Sequence, residues 1–495
     1  MSTVIQRPID EIRRAATSQL DPTQRAALGQ FMTPSTIADF MASLFKQWPT
    51  ELRLLDPGAG VGSLTEAVAE QFFARTNPGA RLQVTAYEID QLLGGYLADG
   101  LRGITLHGEE SDHSVSSEIV SSDFIVEATF ALSFGGPRFT HAILNPPYKK
   151  IGASCEHRKL LRQVGIETVN LYTAFLGLAV ALTAEGGEIV AIVPRSFCNG
   201  TYFRPFRKWL LERVALAHIH VFESRKKAFR EDDVLQENVI VRLERGGVQG
   251  PVTISTSHDP SLHDYAERQV PFEQVVKPDD DERFIHVPTV EVNGADHLFT
   301  NSLESLDLAV ATGPVVDFRV QKFWLDRPRK KSAPLLYVHH FSGGRFEWPK
   351  EHKKPNALTL NTETRKWLMP RGWYVITRRF SAKEERRRIV AHVVDPKKLP
   401  YEFYGFENHL NVFHNGKAGL DADFAFGLAL FLNSTIVDQK FRIFSGHTQV
   451  NATDLRAMRY PSRATLVHYG KWAQRQKELS QDAIDTFIES QHAGR

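Results

Sequence analysis

The stretch that most restricts the fold is Leu52-Arg53-Leu54-Leu55-Asp56-Pro57-Gly58-Ala59-Gly60-Val61-Gly62-Ser63, followed by a helical run over 64–73. A short apolar strand, a turn with glycines at alternate positions and a helix make the first βα unit of an open nucleotide-binding sheet. Glycines there let the backbone approach a ligand closely. No Lys-Ser or Lys-Thr pair ends the turn, so a phosphate-cradling P-loop is not indicated. Asp56 would repel a pyrophosphate and suits a cationic ligand. Apolar runs at 84–87, 142–144, 188–193, 217–222 and 239–243 read as further strands, with helices over 170–183 and 203–214 between them. That alternation predicts an α/β sheet domain. A chain of 495 residues exceeds one typical core. The glycine-rich link from Gly246-Gly247 to Pro251 places the expected boundary between 1–248 and 249–495.

Asn145-Pro146-Pro147-Tyr148 directly follows the strand at 142–144. It therefore sits at a strand's C-terminal end, the edge where open α/β sheets bind ligands. A planar amino group such as adenine N6 is a poor nucleophile because its lone pair is delocalised into the ring. The Asn145 side-chain oxygen can accept one of its N–H groups, and a carbonyl of the proline pair the other, without a competing backbone donor. Two acceptors aimed at one amino group favour a pyramidal, nucleophilic nitrogen. Tyr148 would stack on the ring. The bland alternative is a proline-rich turn, and the neighbouring segments decide between the two.

Those segments each carry a candidate. Thr33-Pro34, after Leu28-Gly29-Gln30-Phe31-Met32, reads as a helix start with Thr33 as the cap, and 8–28 as a surface helix before it. Glu88 and Asp90 end the second strand, where an acid can accept ribose hydroxyls. Asp123-Phe124 pairs an acid with an aromatic at the start or exit of the third strand, suited to an adenine amino group and its ring. Lys149 and Lys150 follow Tyr148 on the open edge. Between the strands at 217–222 and 239–243 lies a basic loop, Arg225-Lys226-Lys227, flanked by Phe222 and Phe229. Cations with stacking faces are what nucleic-acid contact requires.

The formal net charge of +2 hides an asymmetry: residues 318–400 hold 21 Lys and Arg against 7 Asp and Glu. Arg378-Arg379 and Arg386-Arg387-Arg388 are its densest clusters, with Trp324, Phe341, Trp348, Trp367, Trp373 and Phe380 interleaved. A basic, aromatic segment in a chain that is otherwise net acidic points to a polyanion partner for the C-terminal half. A polar turn at 444–451 and a polar helix at 474–491 complete that half. Cys155 and Cys198 are the only cysteines. That count excludes a disulfide framework and a cysteine-rich zinc site and fits a reducing cytoplasm, with no metal expected. No secretory signal is expected from the N-terminal stretch, which has Arg13 and Arg14 but no apolar core. No apolar run approaches a membrane span.

In this order, the Thr-Pro helix start, Asp-Pro-Gly-Ala-Gly, the strand-two acid, Asp-Phe and Asn-Pro-Pro-Tyr resemble the gamma-class adenine-N6 DNA methyltransferases of restriction–modification systems. The resemblance covers roughly residues 25–245. It implies a Rossmann-like S-adenosylmethionine-dependent methyltransferase domain followed by a mixed α+β target-recognition domain. It further implies S-adenosylmethionine held by Phe31, Thr33, Asp56, Gly58, Ala59, Gly60, Glu88, Asp123, Phe124 and Asn145. The target adenine would flip out of double-stranded DNA onto Asn145, Pro146, Pro147 and Tyr148, with Phe222 or Phe229 on its other face. DNA contacts would come from Lys149, Lys150, Arg225, Lys226, Lys227, Arg378 and Arg379. A companion restriction endonuclease acting separately is the implied biological partner. Three alternatives share parts of this pattern: an RNA adenine methyltransferase, a protein glutamine methyltransferase and a non-catalytic DNA-specificity module.

Overall fold

A computed structural model of the chain describes residues 8–21, 32–136, 138–223, 237–289, 299–344, 346–381, 385–445, 449–476 and 478–491. The chain divides into two compact units, Met1–Thr289 and Val290–Arg495. In the first, nine strands form one sheet: β1 (Glu51–Pro57), β2 (Arg81–Tyr87), β3 (Ser114–Val120), β4 (Phe139–Leu144), β5 (Thr183–Pro194), β6 (Val214–Phe222), β7 (Asn238–Arg245), β8 (Val252–Ser257) and β9 (Ala266–Val270). Their spatial order is β3-β2-β1-β4-β5-β7-β6-β8-β9. The strands β3 to β5 run parallel, and β7 is antiparallel to both β5 and β6. From β1 the chain winds outward to β2 and β3, then crosses back to β4. The sheet therefore has its topological switch point between β1 and β4, where doubly wound sheets open a crevice.

Helices α1 (Pro8–Gln19), α2 (Ser35–Ser43), α3 (Ser63–Arg75), α4 (Gln91–Glu110), α5 (Phe124–Ser133), α6 (Glu156–Gln163), α7 (Leu171–Leu182) and α8 (Arg204–Leu211) belong to this unit. Two cores account for the unbroken apolar strands. In β5, Ile189, Ala191 and Val193 pack with α5, α7 and α8, while Val190 and Ile192 pack with α2, α3 and α4. Successive side chains of a strand point to opposite faces, so a sheet covered on both sides needs every position apolar.

The sheet unit continues past the glycine-rich link and past the boundary expected at 248. β8 pairs in parallel with β6, and β9 closes against β8. β9, Ala-Glu-Arg-Gln-Val, buries only its last residue, so it carries no apolar alternation to betray it in sequence. Two local expectations change as well. Thr33 does not cap α2, whose first turn follows Pro34 without a side-chain cap. The helix expected over 8–28 ends at Gln19, and 22–31 lies outside the described residues.

The second unit holds a four-stranded antiparallel sheet and a five-stranded mixed one, built from β10 (Ala309–Thr312), β11 (Trp324–Leu325), β12 (Ser332–Leu336), β13 (Ala357–Thr359), β14 (Met369–Pro370), β15 (Tyr374–Arg378), β16 (Ala391–Val394), β17 (Phe403–Phe406) and β18 (Leu410–His414). Their orders are β10-β18-β15-β16 and β11-β13-β12-β17-β14. Helices α9 (Ala422–Leu432), α10 (Thr435–Phe444), α11 (Ala452–Ala457), α12 (Arg463–Ala473) and α13 (Gln481–Ser490) follow. The helix expected over 474–491 starts only at Gln481, behind a Ser480 cap. α9 and α12 cross backbone to backbone: a Cβ on Gly427 would sit 1.7 Å from the Leu466 carbonyl oxygen, and one on Gly470 1.6 Å from that of Asp423. Among the described residues no helix is long and apolar enough to cross a membrane.

Candidate active site

The loops after β1, β2 and β4 and the turn before α5 enclose a cavity of about 390 Å³ at the switch point. That volume lies within the ~300–1,000 Å³ of small-molecule sites. Its wall contains Thr33, Gly58, Ala59, Gly60, Glu88, Asp123, Phe124, Asn145, Pro147, Lys149 and Lys150. Sequence reasoning had singled out each of these from segments up to 117 residues apart.

The glycine turn is shaped by its backbone. Gly58 and Gly60 adopt φ of 78° and 59°, a region where an L side chain is strained. Gly58 and Ala59 donate their N–H groups to the Tyr87 carbonyl at 2.9 Å, stitching the turn to the end of β2. The Gly60 N–H reaches one oxygen of Glu88 at 2.8 Å, and the Asp90 N–H reaches the other at 2.8 Å. Burial, the largest influence, pushes the Glu88 carboxyl above its ordinary range. Asp90 in turn caps α4, so the acid expected beside Glu88 serves the helix.

Asp56 lies beneath the turn and is not among the cavity-lining residues. It is fully buried; Oδ2 accepts the Thr65 hydroxyl at 2.7 Å, and Oδ1 has no hydrogen-bond partner among the described residues. Burial raises its pKa to about 7, with the charge of Glu88 adding to the rise and the hydrogen bonds from Thr65 opposing it. Glu88 in the wall beside the glycine turn suits a ligand that carries hydroxyls.

Asp123 follows β3 and caps α5, accepting the Ile125 N–H at 2.8 Å. Its other oxygen meets His157 Nε2 at 3.0 Å. His157, on α6, lines the cavity with Phe175 of α7; neither was found by sequence reasoning. No linear motif marks them, because the fold alone brings α6 and α7 to this edge. Phe124 is buried edge-on against Tyr87 and tilted on Phe175, with ring centroids 4.9 Å apart in each case.

At the mouth, Asn145 Nδ2 donates to Thr33 Oγ1 at 3.0 Å, and the Tyr148 hydroxyl donates to Asn145 Oδ1 at 3.2 Å. The residue expected to cap a helix thus holds the catalytic candidate. Tyr148 rests against Tyr172 in a T-shaped contact at 6.1 Å, and Tyr172 bonds Ser196 at 2.8 Å. Burial pushes the Tyr148 phenol well above its ordinary pKa, so it stays a donor at neutral pH. Pro146 and Tyr148 flank the cavity without lining it.

Phe222, one of two rings proposed to face the substrate, is buried at the end of β6, edge-on to His220 at 4.6 Å. Phe31, Phe229, Arg225, Lys226 and Lys227 lie outside the described residues. In the second unit Arg378 pairs with Glu385, while Arg379 bonds Gln449 at 3.4 Å. The triplet beside them is largely internal. Arg387 bonds the Asn433 carbonyl, and Arg388, 1% exposed, donates to the Ser445 carbonyl at 3.2 Å.

Comparison with known proteins gives concordant results. A family model described as Eco57I restriction-modification methylase matches residues 104–229. The type II methyltransferase M.BsuBI of Bacillus subtilis is 48% identical over 477 residues, 94% of either chain. The type II methyltransferase M.PstI of Providencia stuartii is 43% identical over 501 residues, covering 97% of this chain and 96% of the relative. A solved DrdV–DNA complex aligns over 95% of this chain and 60% of that one, with a TM-score of 0.53 at 13% identity, a likeness of fold.

Proposed function

The chain belongs to the family of type II methyltransferases that includes M.BsuBI and M.PstI, and from that premise we propose that it methylates adenine N6 in double-stranded DNA, using S-adenosylmethionine. Its place is modification within a restriction–modification system. The observation that carries the adenine reading is the Asn145 amide, held between the Thr33 and Tyr148 hydroxyls at the mouth of the cavity. The near-full-length kinship with type II methyltransferases weighs against the RNA and glutamine alternatives.

The cofactor supplies an electrophilic methyl group on a sulfonium. Glu88 would take the ribose hydroxyls, Asp123 and Phe124 the adenine amino group and ring, and the glycine turn that covers the buried Asp56 the cationic end. Asn145 Oδ1 and the Pro146 carbonyl would accept the two N–H groups of the target amine, localising its lone pair for attack. Tyr148 would stack on the flipped base. As the new C–N bond forms the S–CH3 bond would break and leave a neutral thioether; the amine takes up the positive charge and sheds a proton to water afterwards, so positioning matters more than a general base. A target base paired in the duplex is out of reach, which is why extrusion is part of the reading. Lys149 and Lys150, exposed beside Tyr148, would meet the phosphates of the strand.

The test is transfer of tritiated methyl from S-adenosylmethionine to duplex DNA, RNA and protein, with nucleoside analysis of the product. Label is expected in N6-methyladenine of duplex DNA and absent with Asn145→Ala. Label in RNA, in glutamine or in methylcytosine would overturn the substrate assignment.

A further inference from the structure

In the second unit four side chains from three separate segments, Arg379-Phe380, His409 and Gln449, meet at one sheet end. The Arg379 N–H bonds the His409 carbonyl at 2.8 Å, and the Val450 N–H bonds the Arg379 carbonyl at 2.7 Å. Phe380 bridges Gln449, and Asn411 Nδ2 donates to the Val450 carbonyl at 2.7 Å. The ends of β15 and β18 and the segment at 449–451 are thereby pinned together as a rigid platform.

What this platform presents is unusual for a structural surface. Phe380 is 47% exposed, and its ring lies 5.1 Å from the exposed ring of His409. His409 is oriented from below: the buried Glu407 carboxylate accepts its backbone N–H at 3.0 Å and engages Nδ1, leaving Nε2 as the ring nitrogen not held by Glu407. Arg379 Nη2 donates to Gln449 Oε1, and its charge meets no carboxylate among the described residues. The neighbouring cations differ. Arg378 is neutralised by Glu385, and Arg387 and Arg388 tie the sheet to α10 and its flanks.

We propose that Arg379, Phe380, His409 and Gln449 form a base-reading edge that sets which DNA sequence this chain methylates, an inference that rests on the DNA-methyltransferase reading above. The chemistry matches the groove code. A guanidinium donates two hydrogen bonds to guanine O6 and N7, a glutamine amide pairs with adenine N6 and N7, and aromatic faces meet a thymine methyl. Base contacts need side chains held in place, and two backbone hydrogen bonds, the Asn411 amide and a buried carboxylate hold these. Phosphate contacts would orient the duplex but carry no sequence information.

The test expresses the full-length protein in a host devoid of adenine methylation and maps methylated sites by long-read sequencing of its DNA. Wild type is compared with Arg379→Ala, Arg379→Lys, Gln449→Ala and Phe380→Ala. Each polar variant is expected to relax the methylated motif at one base pair, with discrimination there falling about 10-fold or more, while cofactor affinity stays at the wild-type value. Arg379→Lys keeps the charge but not the planar fork, so it should relax the same position and carries the test where the alanine variant fails to fold. Unchanged motifs in Arg379→Lys and Gln449→Ala, with activity lowered evenly at every site or not at all, would overturn the proposal. A wild type that methylates no DNA would overturn the function reading itself, before any variant is compared.

Discussion

Replacing Thr33 by valine removes one oxygen and almost no volume. In the structure that oxygen accepts the Asn145 Nδ2–H at 3.0 Å, while the Tyr148 hydroxyl donates to Oδ1 at 3.2 Å. An alkyl hydroxyl is the better acceptor and a phenol the better donor, so the pair selects the amide orientation that turns Oδ1 toward Tyr148. The opposite orientation would aim N–H groups at the substrate's own N–H groups. Losing a hydrogen bond in so buried a setting (Thr33 is 5% exposed) costs ~1–3 kcal/mol. If that cost falls wholly on the transition state, the methyl-transfer rate drops about 5- to 150-fold, at 1.36 kcal/mol per decade. Single-turnover transfer to duplex DNA, with cofactor Kd measured in parallel, is the assay. The slowed step should appear at saturating cofactor, Kd should stay near wild type, and Thr33→Ser should restore the rate. A Kd that rises by the full factor, with the saturated rate unchanged, would refute the orienting role and make Thr33 a cofactor ligand only.

Three further outcomes are expected. The Asp56 carboxyl, raised to about 7, keeps its proton in the fold at pH values where the unfolded chain has lost it, so stability is full below about pH 4 and declines as pH rises toward 7. The loss is at most about 4 kcal/mol; Asp56→Asn should flatten the Tm–pH profile between pH 4 and 8, and parallel profiles would contradict this. Phe222→Ala should destabilise the sheet unit by about 3–5 kcal/mol in urea unfolding, as a core deletion does, whereas Phe229→Ala should lower kcat/KM at unchanged stability; the reverse pattern would make Phe222 the stacking ring. Gly427→Ala forces a methyl onto the Leu466 carbonyl, so unfolding of the second unit should shift by about 1–3 kcal/mol or more, and a Tm within a degree of wild type would mean the helices can part without cost.

Much of the cavity wall could be read from the chain because its pieces are local. A strand, a turn and a helix start within a dozen residues fix where the glycine loop, Glu88 and Asn145-Pro146-Pro147-Tyr148 must sit, since each follows a strand whose two-sided apolar pattern declares it. Strands with one wet face or a free edge declared themselves less: β9 buries one residue in five positions, and the sheet unit consequently runs on to Thr289. Charge misled for a related reason. Arg378, Arg387 and Arg388 look alike in sequence with Arg379, yet Arg378 pairs with a carboxylate, Arg387 and Arg388 bond backbone carbonyls, and Arg379 bonds a neutral glutamine amide. Residue type records that a guanidinium exists; only the fold decides which acceptor it meets.

The sequence by itself determined the doubly wound sheet, the edge that carries the cavity and many of the residues lining it, because backbone periodicity and turn chemistry act over a few residues. The tertiary structure decided the partnerships across long separations: Thr33 with Asn145, His157 with Asp123, and Arg379 with Gln449. Hydrogen bonds act over about 3 Å and have no memory of sequence distance, so pairs 112, 34 and 70 residues apart exist only once packing has brought their elements together.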